Sequence, residues 1–281
     1  MSKFSTVIPL LHKECKLLPK VPLLLDTGIA VRSLRSEHIG AIISKRRALS
    51  ERLNSRTKCI LIQNEENQPS RADIEAAGLF GPFVLNVFAS MGSLSSAQAF
   101  TVKHVRTHSV VDVIDLANSN LDHLSDYEID ATTSPASVKT LYASTLVAMS
   151  KDAGLWITVR RFNGALSKTI REDKVIDIAI CLESIFSSQT EISFRFSLYN
   201  AILAEDDSSK RASLFKILKR LYKERSNLVH GNKGLDADWI DAQWDTIVRT
   251  AKLSLLKKID FLQNNALADW QEHLDNLALG A

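Results

Sequence analysis

The chain has 281 residues, 45% of them hydrophobic and 24% charged, with a formal net charge of +3. This composition excludes a disordered or fibrous chain and leaves a globular protein with room for one large domain or two ordinary ones. The charge is too small to establish a nucleic-acid partner by itself, because basic residues are informative only where they cluster.

In chain order, MSKFSTVIPLLHKECKLLPKVPLLL comes first. Its apolar runs are broken by Lys and Glu, so it makes neither a signal-peptide core nor a bilayer span and is expected to belong to the fold. Cys15, Cys59 and Cys181 form no C-x-x-C pair. Neither a disulfide framework nor a zinc site is expected, and a reducing cytoplasm suits the chain.

EHIGAIISKRRALSERL (37 to 53) has helical spacing, whereas KCILIQ (58 to 63) and AFTVKHVRTHSVVDVIDL (99 to 116) are rich in β-branched residues and predict strands. ADIEAAGLFGPFVLNVFASM fits either. The character changes near TTSPASVKT: residues 1–135 read as a mixed α/β region, and residues 136–281 as four or five helices joined by short polar connections. The predicted class is therefore α+β, ending in an all-α bundle. The clearest helix lies at about 236 to 264, where Ile240, Trp244, Ile247, Val248, Ala251, Leu255, Ile259 and Leu262 form one stripe. Trp156, Trp239, Trp244 and Trp270 occupy helical, partly apolar positions and are expected to pack.

Two charged residues fall on predicted core seams. Leu214, Leu218, Leu221 and Leu228 define one seam, and Arg225 fills its gap. In KVIDIAICLESIF, Ile176, Ala179, Ile180 and Phe186 define another, which carries Glu183. A buried charge needs a partner or a wet cleft. An internal Arg225–Glu183 ion pair is one reading, with Arg195 as a rival for Glu183.

His230 ends the same helix, just before Gly231, a natural helix stop. A histidine at the negative end of a helix suits proton exchange near neutral pH, although a simple capping role also accounts for it. The arginine with its four-residue gap to histidine matches a spacing used by metal-independent ribonucleases. Chance alone supplies about one such match in a chain of this composition. Two occur, and Arg32 to His38 is read as the decoy because no buried helical seam surrounds it. An ideal helix separates residues five apart by about 140°. Convergence of Arg225 and His230 thus needs a distorted last turn or a second subunit. Ser226 and Asn227 have groups suited to binding a phosphate or orienting the imidazole. Lys216, Lys219, Arg220 and Lys223 form a basic run that is either an RNA-backbone contact or a solvated helix face. No P-loop, metal-ligand spacing, serine-protease or zinc-hydrolase signature is present.

At these residues the chain resembles the HEPN superfamily, and its ApeA-like branch in particular. AGLWITVRRFNGALSKTIREDKVIDIAICLESIF resembles the entry helices, EISFRFSLYNAIL the next, and LYKERSNLVHG the closing signature. The resemblance covers about residues 150 to 260, and PLLLDTGIAVRSLRSEH is similar to a region often found upstream. It implies a helical bundle that dimerises around a shared cleft and cleaves RNA without metal or cofactor, in antiphage defence or a toxin system. Arg225 and His230 are then the catalytic pair, with Glu183, Ser226 and Asn227 supporting. Residues 1–135 are then a sensing or regulatory region, or hold an antitoxin-like partner protein. A non-catalytic module for nucleotide or RNA binding, or for dimerisation, is the alternative.

Overall fold

A computed structural model describes residues 3–11, 15–16, 23–26, 28–33, 35, 38–39, 41–42, 57–64, 69–91, 94–96, 98–105, 107–115, 127–186, 190–231 and 234–280. The fold is α+β. The chain divides into two compact units, Met1–Ala143 and Ser144–Ala281. Among the described residues, no helix is long and apolar enough to cross a membrane.

The first unit holds a main sheet of β1 (Lys3–Leu11), β3 (Leu23–Asp26), β4 (Ile29–Ser33), β5 (Lys58–Asn64), β8 (Gln98–Val105) and β9 (Thr107–Asp115), with β7 (Ser95–Ser96) paired to the end of β1. The order is β3-β4-β5-β1-β8-β9, and every pairing along it is antiparallel. A smaller sheet orders β2 (Cys15–Lys16), β10 (Tyr127–Ile129) and β6 (Ala89–Met91). The central position of β1 explains its apolar run: Val7, Ile8 and Leu10 are fully buried. The run at 99 to 116 is too long for an ordinary single strand and forms the β8–β9 hairpin, with Val105 opposite Thr107.

The ambiguous stretch resolves into a helix followed by a strand. Helix α1 (Arg71–Val87) starts where the Ser70 side chain accepts the Asp73 N–H, and β6 follows directly. Nearly all of α1 after Ile74 is buried, which is why periodicity could not separate helix from strand there. Of the helix predicted at 37 to 53, residues 38–39 and 41–42 are helical; the rest lies outside the described residues.

From Pro135 onward the chain is helical: α2 (Pro135–Lys151), α3 (Gly154–Ser167), α4 (Arg171–Glu183), α5 (Ile192–Ala204), α6 (Ser208–His230), α7 (Ala237–Asn264) and α8 (Asp269–Leu279). Among the described residues there are seven segments where four or five were expected. The additional breaks, at 152–153, 168–170 and 265–268, are two to four residues long and lack Gly or Pro runs. At one of them Asp152 Oδ1 accepts the Gly154 N–H, which turns the chain with no other marker. α2 straddles the division between the units.

Within the second unit α3 packs on α4, α5 on α6, and α4 and α5 both pack on α7. The α7 stripe is buried at Ile240, Ile247, Ala251, Leu255, Ile259 and Leu262, while Trp244 and Val248 are half-buried. Of the tryptophans, Trp270 is buried and its indole donates to the Ile185 carbonyl at 2.6 Å. Two charged ties reinforce the bundle. Asp177 of α4 is buried and accepts Arg161 at 2.6 Å and Lys168 at 2.7 Å; a side chain at Gly164 would collide with that carboxylate. Lys258 of α7 pairs with Asp152 at 2.8 Å, both buried. Removing one partner of such a pair is costly because a buried charge is left alone.

Candidate functional site

The site is built on α6. The Asp207 carboxylate caps its first turn by accepting the Ser209 and Lys210 N–H groups, and these bonds hold the carboxyl below its usual range, the Ser209 hydroxyl contributing most. Gly231 ends the helix at φ 65°, where its N–H meets the Asn227 and Leu228 carbonyls. That left-handed position is open to glycine without steric cost. Between the caps the backbone is α-helical through His230.

Leu214, Leu218 and Leu221 are buried along the inner face, and Leu228 is half-buried. Arg225 continues this seam with its side chain 23% exposed. Its Nη2 lies 3.4 Å from Glu183 Oε2 at the end of α4. Arg195 does not take this carboxylate. It donates to the Tyr199 hydroxyl at 2.8 Å and pairs with Asp275 at 3.7 Å, and Tyr199 in turn donates to Asp275. Burial, then the Asp275 carboxylate, raises the Tyr199 phenol above its usual range. Arg225 Nε is buried without a hydrogen-bond partner, so the guanidinium is only partly satisfied where it sits.

The face expected around Glu183 is corrected. The buried residues of α4 are Val175, Asp177, Ile178, Ala179, Cys181 and Leu182, whereas Ile176 and Ile180 are half-buried. Glu183 therefore stands at the rim of the buried face, and Asp177 is the enclosed acid. Ile176 and Ile180 border the buried face rather than centre it, because α4 packs against α3, α6 and α7.

His230 is exposed, and Ser226 and Asn227 are half-buried. Because the helix is regular to its end, Arg225 and His230 lie about 140° apart around its axis. Within one chain they do not share a face. Lys216, Lys219 and Lys223 are exposed, and their positions fall within about 60° of one another and of His230. The basic run thus leads to the histidine, on the side away from Arg225.

Arg220, also in that run, is occupied. It pairs with Asp236 at 2.5 Å and lies 3.8 Å from Glu224, and its guanidinium sits over the Trp239 ring at 4.3 Å from the centroid. Asp236 also caps α7 by accepting the Trp239 N–H. These contacts fix the start of α7 against α6. Glu224, buried beside Arg225, and Asp236 were missed in the sequence. The four-residue spacing from Arg220 to Glu224 was the available signal.

No group of three or more metal-ligating side chains occurs among the described residues. Cys59 and Cys181 are buried free thiols; burial pushes Cys59 up to about 12 and raises Cys181 as well, which leaves both poor nucleophiles. The Arg32–His38 pair is split between β4 and a separate helical turn, with His38 buried. Comparison with known protein families, with curated proteins and with solved structures returns no match.

Proposed function

We propose that the helical unit is a metal-independent endoribonuclease of the HEPN type, acting in antiphage defence or a toxin system, with residues 1–135 sensing a trigger or holding a regulatory partner. The observation that carries this reading is the placement of Arg225 on the inner seam, held by Glu183, five residues before an exposed His230 on one helix. Such a pair suits cleavage through the 2′-hydroxyl. His230 takes the hydroxyl proton, the 2′-oxygen bonds to the adjacent phosphorus, the bond to the 5′-oxygen breaks, and water protonates the leaving oxygen. Arg225 neutralises charge on the phosphoryl oxygens through a fork that stays protonated. The products are a 2′,3′-cyclic phosphate and a 5′-hydroxyl.

The angle between the two residues supports a reading in which they act from different subunits. A twofold homodimer that apposes two copies of α6 gives each cleft the arginine of one chain and the histidine of the other. The test is incubation of total RNA with the full chain in chelator, beside Arg225→Ala and His230→Ala. Wild type is expected to cut, and both variants to be inactive. Cleavage that survives both substitutions contradicts the site.

One observation favours a second reading, a non-catalytic module for RNA binding or assembly: Arg225 already has a carboxylate partner and faces away from His230. Intact RNA under every condition, with any activating partner supplied, selects that reading.

A further inference from the structure

The charge on α6 is one-sided in a way that packing does not require. Lys210, Arg211, Lys216, Lys219, Arg220, Lys223 and Arg225 stand against a single acid, Glu224, and that acid is buried. The longer α7 mixes Asp238, Asp241, Asp245 and Asp260 with Arg249, Lys252, Lys257 and Lys258, as a solvated helix ordinarily does. On α6 Arg225 is paired with Glu183 and Arg220 with Asp236. Lys216, Lys219 and Lys223 are exposed on the side opposite Arg225, with no acidic residue on their own helix face. The stripe they form extends to His230, about 21 Å from Lys216 along the axis.

We propose that this outer stripe, Lys216–Lys219–Lys223, is a binding track for single-stranded RNA that leads the backbone to His230. The inference rests on the ribonuclease reading for its ligand and goes beyond it in assigning where, and in what form, the RNA lies. Among the described residues these three cations have no ion-pair partner, and such a row, with no carboxylate between its members, matches a polyanion. One row of lysines along a helix face can track one backbone strand. A-form RNA also keeps its major groove too deep and narrow for side chains to reach, so a single strand fits this face better. Arg220 is excluded from the track because its guanidinium is already shared between Asp236 and Trp239.

The test is fluorescence anisotropy on the full chain with a labelled single-stranded RNA carrying 2′-O-methyl riboses, which binds without being cleaved. Loss of three phosphate contacts in K216Q/K219Q/K223Q is expected to lower the slope of log affinity against log salt by about 2. Raising salt from about 50 to about 200 mM then weakens wild type by about 20-fold more than the variant. Each single Lys→Gln change removes about 0.7 of the slope, and the triple Lys→Arg variant retains wild-type binding. K139Q/K257Q, which removes charge elsewhere, leaves the slope unchanged, and circular dichroism confirms that all variants are folded.

Wild-type affinity and slope in the triple Gln variant overturn the track. So does absence of RNA binding by wild type, or equal lysine-dependent binding of a duplex of the same sequence. The outcome is separable from the catalytic reading. Track-dependent binding without cleavage of unmodified RNA refutes the nuclease alone, and His230-dependent cleavage unaffected by the triple Gln variant refutes the track alone.

Discussion

The inner and outer faces of α6 share one backbone and handle charge in opposite ways. Inward, the single arginine on the leucine seam is met by a carboxylate from α4 and keeps less than a quarter of its side chain exposed. Outward, three lysines and a histidine stand in water in a row. The inner face spends its charge on architecture, and the outer face leaves its charge available to a ligand. A site read from one short sequence motif is thus distributed over two surfaces, which is why a second copy enters the account.

The largest expected effects test whether both faces belong to one active site. On the proposed mechanism Arg225→Ala removes a charged donor to the phosphoryl oxygens, and cleavage is expected to fall by about 100-fold to 1,000-fold. His230→Ala removes the proposed proton acceptor and is expected to cost about 100-fold to 10,000-fold in the same assay. Loss from one substitution without the other breaks the pairing of the faces.

Stability separates the faces next. Leu218 is fully buried, and Leu218→Ala is expected to destabilise the unit by about 2–5 kcal/mol in urea unfolding. Gly231→Ala forces a side chain into a left-handed position and is expected to cost about 1–2 kcal/mol, shifting the thermal midpoint downward. Glu183→Gln removes one partner of a pair that is partly open to solvent, so its stability cost is expected to be about 0.2–1 kcal/mol. On the outer face, each Lys→Gln change at 216, 219 or 223 is expected to stay within about 0.5 kcal/mol of wild type. An outer lysine as costly to unfolding as Leu218 would show that the two faces do not differ as described.

The sequence disclosed the inner face of α6 well because leucines at helical spacing leave a periodic trace and a charge among them stands out. Arg225 was visible for that reason. Its partner was narrowed to one carboxylate but placed on the wrong part of α4, since Ile176 and Ile180 looked central to a helix that packs against α3, α6 and α7. Arg220 looked like the lysines around it. What distinguishes it lies on α7, at Asp236 and Trp239, and no pattern local to α6 reports that contact. In the first unit, β5 and the β8–β9 hairpin announced themselves through β-branched residues, whereas α1 did not, because a helix buried nearly all round has no polar face to set its period. The alignment of the lysines with His230 was available from helical geometry once the helix was known to remain regular to Gly231.

The central claim is that Arg225 of one chain works with His230 of another. The direct measurement is to mix Arg225→Ala and His230→Ala proteins, allow subunits to exchange, and assay RNA cleavage in chelator. Each mixed dimer retains one intact cleft, so activity is expected to return to roughly a quarter of wild type although each variant alone is inactive. Mixed protein that exchanges subunits yet stays as inactive as its parents contradicts the shared site.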